Sequence, residues 1–472
     1  MTIHDINDTI CAISTPSGTG GIAVIRISGP QAIATADKIW HGRPLSQAPG
    51  QTLRYGTVDA PDGTRLDDAV AAVYRAPHSY TGQDTVEISV HGSTYIQHTL
   101  LQSLTAAGAR LAAPGEYTRR ALAAGKLDLP QAEAVADIIA ARSRAEHRLA
   151  DTQMRGHYSA RLRTIRDSLI DIASLLELEL DFSEEDVQFA DRAGLLSRAT
   201  ALRDEITRLE HTFAAGNAIR QGIPTAIVGH TNAGKSSLLN ALLGDDRAIV
   251  SDIHGTTRDI IEDTATIGDY TIRFIDTAGI RHTDDTIERL GIDRTRRAIT
   301  SARILILVLD PTAPGVDTDT IPADGALPRD THLIIAINKT DITPSAALRR
   351  DPAFIRHLAA LQAIHATVDT IDISAATGRG LDTLRDAILR AAGHGLDQSD
   401  IIVTNARHRQ ALADALPPLD AVISALAPAS PVTSDLIAHD LRSVISALSA
   451  IIGDITTPDL LATIFSRFCV GK

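Results

Sequence analysis

Apolar and polar positions along this chain change their period several times. Between about Asp8 and Arg119, short alternating runs such as Ile22 to Ile27 and Thr85 to Val90 predict half-buried strands, and Tyr95 to Ala107 carries helical spacing. That mixture predicts an α+β domain. From about Gln131 to His211 apolar residues recur at helical spacing with no proline and almost no glycine, which predicts long packed helices. Strand-like and helical patterns then alternate as far as about Ala392, with the apolar runs Tyr270 to Ile275, Ile304 to Leu309, Leu333 to Ile337 and Ile371 to Ile373. After Ile401-Ile402-Val403 the helical period returns, over Ala406 to Ala425 and Ser434 to Ile452. Helical patterns on both sides of an alternating block predict one bundle interrupted by an insertion. Within that block the segment from Asp310 to Asp330, rich in Pro, Asp and Thr, predicts an exposed loop. The predicted boundaries are 1–119, 120–215, 216–392 and 393–472.

Composition narrows this picture. A chain of 472 residues suffices for about three domains, and with aromatics at only 3% the cores must be aliphatic. A formal net charge of −13 argues against a chain that coats nucleic acid unaided, while leaving room for one local basic face. Two cysteines, Cys11 and Cys469, cannot build a disulfide framework or a four-cysteine zinc site, which fits a reducing compartment. No basic and apolar signal opens the chain, and Ile304 to Leu309 is far too short to span a bilayer. The expectation is a cytoplasmic protein with no membrane partner.

The most informative chemistry lies at a strand-to-helix junction. Gly229-His230-Thr231-Asn232-Ala233-Gly234-Lys235-Ser236 closes an apolar run and opens a helical pattern. Its glycines let backbone N–H groups turn toward an anion, the helix N-terminus adds partial positive charge, Lys235 can reach terminal phosphates, and the Ser236 hydroxyl can ligate Mg2+. Gly255-Thr256-Thr257-Arg258-Asp259 stands where a first switch would, with a threonine able to complete the magnesium shell. Asp276-Thr277-Ala278-Gly279 ends a strand-like run, placing a carboxylate near the metal and a glycine amide near the phosphate. Asn338-Lys339-Thr340-Asp341 ends another; Asp341 can accept both donors of a guanine edge, which adenine lacks. Ser374-Ala375 can supply a backbone N–H to the guanine oxygen. Five such stretches in order, each at a strand end, imply a P-loop GTPase domain with a mostly parallel sheet. Ile280 follows Gly279 where Ras-type enzymes carry a water-orienting glutamine, so another polar group must do that work. Glu288 is the best placed candidate, its alternative being a solvated helix-start glutamate. The amide oxygen of Asn232 could bind a monovalent cation against the phosphates.

Three further signatures resemble one family. Thr15-Pro16-Ser17-Gly18-Thr19-Gly20-Gly21-Ile22-Ala23-Val24-Ile25-Arg26-Ile27-Ser28-Gly29-Pro30, the stretch Pro114-Gly115-Glu116-Tyr117-Thr118-Arg119-Arg120-Ala121 with Gly125-Lys126-Leu127-Asp128-Leu129-Pro130-Gln131, and the ending Cys469-Val470-Gly471-Lys472 are similar to those of the MnmE (TrmE) tRNA modification GTPases. The resemblance implies a multidomain α/β fold, with an α+β folate-binding-like N-terminal domain that forms a homodimer and a helical bundle into which the GTPase domain is inserted. It implies a potassium-stimulated GTPase that works with the flavoprotein MnmG (GidA), in a heterotetramer or larger complex. Together they would add an aminomethyl or carboxymethylaminomethyl group to C5 of the wobble uridine of certain tRNAs. The one-carbon unit would come from a 5-formyltetrahydrofolate-like derivative.

By the same resemblance, Arg26, Glu87, Lys126 and Lys472 would bind the folate, with Arg26 and the lysines suited to its carboxylates and Glu87 to the pterin N–H edge. K+ would be held by Asn232, Ser251, Ile253 and Thr256, where Ser251 replaces a threonine common in the family, and Mg2+ by Ser236 and Thr257. Nucleotide contacts would come from Asn232, Ala233, Gly234, Lys235, Ser236 and Ser237, from Ser251, Asp252, Ile253, His254, Gly255, Thr256 and Thr257, from Asp276, Thr277, Ala278 and Gly279, and from Asn338, Lys339, Asp341, Ser374 and Ala375. Glu288 matches the family's water-orienting glutamate, and Cys469 is either a reactive thiol near the folate or a buried apolar residue. Arg142, Arg144, Arg148, Arg155, Arg161, Arg163 and Arg166 either meet tRNA phosphates or form a solvated face with their own carboxylates. His91 is either near the folate or an ordinary turn histidine. A ribosome-assembly GTPase resembling Era or Der is the competing class. It is disfavoured by the single phosphate loop and by helices where an RNA-binding module would follow.

Overall fold

A computed structural model describes residues 7–181, 191–244, 263–275, 298–312, 331–364, 368–393, 401–428, 432–454, 458–466, 468 and 471. The chain divides into two compact units, one made of Met1–Ile139, Asp151–Thr207 and Gln410–Lys472, the other of Ala140–Ala150 and Arg208–Arg409.

In the first unit, β1 (Ile10–Ile13), β2 (Gly20–Ser28), β3 (Trp40–Gly42), β4 (Thr52–Asp59), β5 (Arg65–Tyr74), β6 (Thr85–Gly92) and β7 (Arg110–Leu111) form one sheet in the order β3-β4-β5-β6-β2-β1-β7. All neighbours are antiparallel except β1 and β7. The period-two pattern sorts its faces. Ile25, Ile27, Ala71, Val73, Val86 and Ile88 turn inward to pack with Leu100 and Leu104 of the helix Thr94–Ala106. Arg26 of β2 and Glu87 of β6 are register partners on the opposite face. On that face Ile10, Ala12, Ala112 and Tyr117 form a second small core against Tyr80, closed by the helix Glu116–Ala123.

The span from about Gln131 to His211 is a succession of helices, as its period predicts. It comprises Leu129–Ala140, Arg144–Met154, His157–Asp181 and Arg192–His211. Between the second and third, Gly156 takes φ +79 and turns the chain, a conformation in which glycine is favoured. His157–Asp181 packs along Ser434–Ile452, which buries Ile437, Leu441, Val444, Leu448 and Ile451 at helical spacing. Pro417 and Pro418 sit inside the helix Ala406–Leu426 without ending it. Among the described residues no helix is long and apolar enough to cross a membrane.

In the second unit, β8 (Ile223–Gly229), β9 (Asp263–Ile267), β10 (Tyr270–Phe274), β11 (Ile304–Leu309), β12 (His332–Ile337) and β13 (Val368–Asp372) form a sheet in the order β13-β12-β11-β8-β10-β9. Only the β9–β10 pair is antiparallel. β11 is buried at every position, as a central parallel strand covered on both faces must be. Leu238, Leu239, Leu384 and Ile388 pack on one face, and Ile299, Phe354 and Leu361 on the other. The Ala140–Ala150 segment joins this unit through Ala145 N–H, which donates to Asp269 O at 2.9 Å.

Candidate functional sites

The carboxyl ends of β8, β11, β12 and β13 meet where an α/β sheet offers its ligand site. β8 ends at Gly229, whose φ of +147 and position leave no room for a side chain, since a Cβ would lie 2.3 Å from Val308 O. Gly234, at φ +95, is tighter still; a Cβ there would meet Asn338 Nδ2 at 2.2 Å. Asn232 between them adopts φ +64, a left-handed conformation that asparagine tolerates better than most residues. The helix Lys235–Leu243 follows directly, so its first N–H groups open onto the loop.

Asn338 is the bolt of this site. Buried at the end of β12, it donates from Nδ2 to Ala233 O at 2.8 Å and accepts at Oδ1 from Ala375 N–H at 2.9 Å. One amide therefore fixes the phosphate loop to the Ser374-Ala375 loop. Thr340 reinforces the link, its N–H and Oγ1 both donating to Ile373 O. Lys235 Nζ donates to Gly229 O and His230 O, each at 2.8 Å, and burial pushes its pKa down. Ser236, Ser237 and Asp341 are exposed. The exposed hydroxyls and the Asn232 amide oxygen are hard donors of the kind Mg2+ and K+ prefer. Ser251, Asp252, Ile253, His254, Gly255, Thr256, Thr257, Asp276, Thr277, Ala278, Gly279 and Glu288 lie outside the described residues.

Sequence reasoning passed over Asp310. The composition of 310–330 predicts an exposed loop, yet Asp310 follows β11 directly and binds Lys339 Nζ at 2.6 Å. A carboxylate at the tip of a buried central strand, one strand from Asn338-Lys339, was the available signal.

The first unit holds a second cluster. Arg26 Nε donates to Glu87 Oε1 at 2.8 Å, and the guanidinium carbon lies 5.6 Å from the centroid of the Tyr80 ring and 5.5 Å from that of Tyr117. A planar cation flanked by two aromatic rings and one carboxylate is tightly held. Tyr117 OH donates to Arg26 O at 2.8 Å, and Tyr80 OH shares a 2.9 Å hydrogen bond with Thr118 Oγ1. The Tyr80 turn is pinned from below by the buried hydroxyls of Ser28, Thr81 and Thr85. Gly471 reaches this place from the far end of the chain. Its carbonyl accepts from Ser14 Oγ at 3.3 Å and Arg26 Nη1 at 3.5 Å. Only glycine fits there, because φ is +100 and a Cβ would lie 2.2 Å from Ile13 O. Lys126 is exposed beside the same turn, its Cε 3.7 Å from where a Gly82 Cβ would be. Arg26 and Glu87, which the resemblance assigns to the folate carboxylates and the pterin edge, are also each other's partners. Cys469 and Lys472 lie outside the described residues.

Several of the arginines have carboxylate partners of their own, and His91 lies within β6 rather than at a turn. Arg155, Arg161, Arg163 and Arg166 pair with Asp151, Glu205, Asp128 and Asp454 respectively. His91 is anchored to Asp67 through both its N–H and Nδ1, and that hydrogen bond raises its pKa. Burial pushes the Cys11 thiol up to about 12, so it is an apolar core residue rather than a nucleophile.

Residues 9–126 match the family described as GTP-binding protein TrmE N-terminus, and residues 129–469 match the MnmE helical domain. The chain is 49% identical over 472 residues to a tRNA modification GTPase MnmE of Parabacteroides distasonis, covering 98% of this chain and 100% of that protein. It is 46% identical over 474 residues to one from Bacteroides fragilis, with 98% and 99% covered. One from Cytophaga hutchinsonii is 42% identical over 473 residues, with 100% and 99% covered.

Proposed function

Because this chain belongs to the MnmE family of tRNA modification GTPases, and is therefore a GTP hydrolase acting in tRNA modification, we propose that it installs an aminomethyl or carboxymethylaminomethyl group on C5 of a wobble uridine. It does so with the flavoprotein MnmG, in a heterotetramer or larger complex, and takes the one-carbon unit from a tetrahydrofolate derivative. The two clusters divide the work.

At the nucleotide site Lys235 and the loop amides hold the phosphates, Asp341 and the Ser374-Ala375 backbone select guanine, and Glu288 orients the attacking water. Ser236 and Thr257 would hold Mg2+, and Asn232, Ser251, Ile253 and Thr256 would hold K+; the two ions would supply positive charge against the charge that develops on the phosphates. At the second cluster Arg26, Glu87, Lys126 and Lys472 bind the folate, with Cys469 as the thiol beside it. The Arg26–Glu87 pair sets a donor group beside an acceptor group, both partly exposed, suiting a ligand with adjacent acceptor and donor edges. The protein works in the cytoplasm as a homodimer through the open face of the N-terminal sheet, where Leu53 and Tyr55 are 67% and 72% exposed.

The observation that carries this reading is the seating of Gly471 against Ser14 and Arg26, across 457 and 445 residues of sequence. Gly471 lies two residues after Cys469 and one before Lys472 in sequence, and its place beside the Arg26–Glu87 pair supports a site shared with that ending. The experiment is nucleoside analysis of tRNA from cells lacking the protein, restored with the full chain or with one truncated before Cys469. The full chain is expected to restore C5-modified wobble uridine and the truncation to leave it unmodified. Restoration by both would remove the ending from the chemistry. Normal modification without the protein would favour a regulatory GTPase.

A further inference from the structure

Lys339 occupies an unusual backbone position, φ +59, immediately after the Asn338 bolt. Its Nζ donates to Asp310 Oδ2 at 2.6 Å. The other oxygen of that carboxylate accepts from Thr312 N–H at 2.9 Å and from Thr312 Oγ1 at 2.6 Å, so Asp310 is fixed before it meets the lysine. Burial works to raise its pKa, but Lys339 and Thr312 outweigh that and hold it below the ordinary carboxylate value of 3.8. It is thus charged at neutral pH.

A lysine with a free ammonium samples many rotamers. One whose ammonium is tethered presents its methylenes as a fixed apolar strip, able to lie against the flat face of a base. Asn338, the preceding residue, joins the phosphate loop to the Ser374-Ala375 loop, so the Lys339 side chain starts from backbone beside the compartment assigned to guanine. We infer that Asp310 is a positioning residue for guanine-nucleotide binding, acting by tethering Lys339. This rests on the reading of Lys339 as a base-site residue, and the test separates the two.

Affinity of the full chain for fluorescently labelled GDP is measured for Asp310→Asn, Lys339→Ala and the double variant. Asparagine keeps an oxygen for Thr312 while removing the charge. It is expected to weaken GDP binding by about 3- to 30-fold, the range for losing a partly exposed charged hydrogen bond. Turnover at saturating GTP should stay within about two-fold, because the tether touches no reacting atom. Lys339→Ala should weaken binding at least as much, and the double variant should be no weaker than Lys339→Ala alone. Unchanged affinity in Asp310→Asn, with loss in Lys339→Ala, would overturn the proposal and leave the base site standing. Unchanged affinity in Lys339→Ala would overturn the base-site reading itself. Multiplying losses in the double variant would make Asp310 an independent structural residue and reject the tether. Should Asp310→Asn melt lower without nucleotide, Lys339→Met reads the same contact from the other side. It keeps a stem and loses the ammonium, and wild-type affinity there would also reject the tether.

Discussion

Glu116 shows how one residue can hold an entry into a helix. Its side chain is fully buried and accepts from Arg110 Nη2 at 2.7 Å, Arg120 Nη2 at 2.9 Å and Ala113 N–H at 2.8 Å. Asp8 completes the network, bound by both Arg110 and Arg120. Burial tends to raise the Glu116 carboxyl, yet the hydrogen bonds from Arg110, Ala113 and Arg120 outweigh it and hold it below its ordinary 4.5. A carboxyl depressed in the folded state contributes stability that is present above its unfolded value and lost as pH falls through the folded one. The melting temperature of the intact protein should therefore drop on acidification below about pH 4.5. Glu116→Gln should flatten that drop while costing about 2–4 kcal/mol at neutral pH, because it leaves two arginines short of a partner. A pH profile parallel to wild type would remove Glu116 from the linkage.

Asn232 belongs to the same scale. If its amide oxygen helps hold K+, GTP turnover should be at least roughly 10-fold faster in potassium than in sodium at equal ionic strength, within what an arginine-finger substitute supplies. Asn232→Gly is the variant to use, since alanine would carry strain at φ +64. It should abolish the difference and leave GDP affinity largely intact. Equal rates of the wild type in both salts would sink the cation reading.

At the scale of elements, the N-terminal sheet has one face covered by helices and one partly open. Tyr55 of β4 stands opposite Val70 of β5, and Leu53 opposite Ala72, making an apolar row on exposed edge-side strands. Such a row is costly in water unless something covers it. The proposed occupant is a second copy of this chain. Tyr55→Asp should shift the mass measured by light scattering from dimer toward monomer. Because Tyr55 packs into no core, the circular dichroism melt should move by less than about 1 kcal/mol equivalent. A dimer unchanged by Tyr55→Asp together with Leu53→Asp would place the interface elsewhere.

For the whole molecule, the two clusters fall in different compact units. The truncation before Cys469 should thus leave GTP turnover within about two-fold while modification is lost, and loss of both would signal damage to the helical packing instead. Much of this division was legible in the sequence. The glycine spacing before Lys235, the strand-end Asn338 to Asp341 and the return of helical period after Val403 are local patterns, and local sterics and burial periodicity suffice to read them. The turn at Gly156 and the exclusion of a side chain at Gly471 were decided by packing. So were the pairings. Nothing in spacing says that Arg26 meets Glu87 before any ligand, that Tyr80 and Tyr117 flank its guanidinium, or that Asp310 reaches across to Lys339. Periodicity states which side of an element is buried. Which charge answers which depends on strand order and register, and those are settled only when the sheet is assembled.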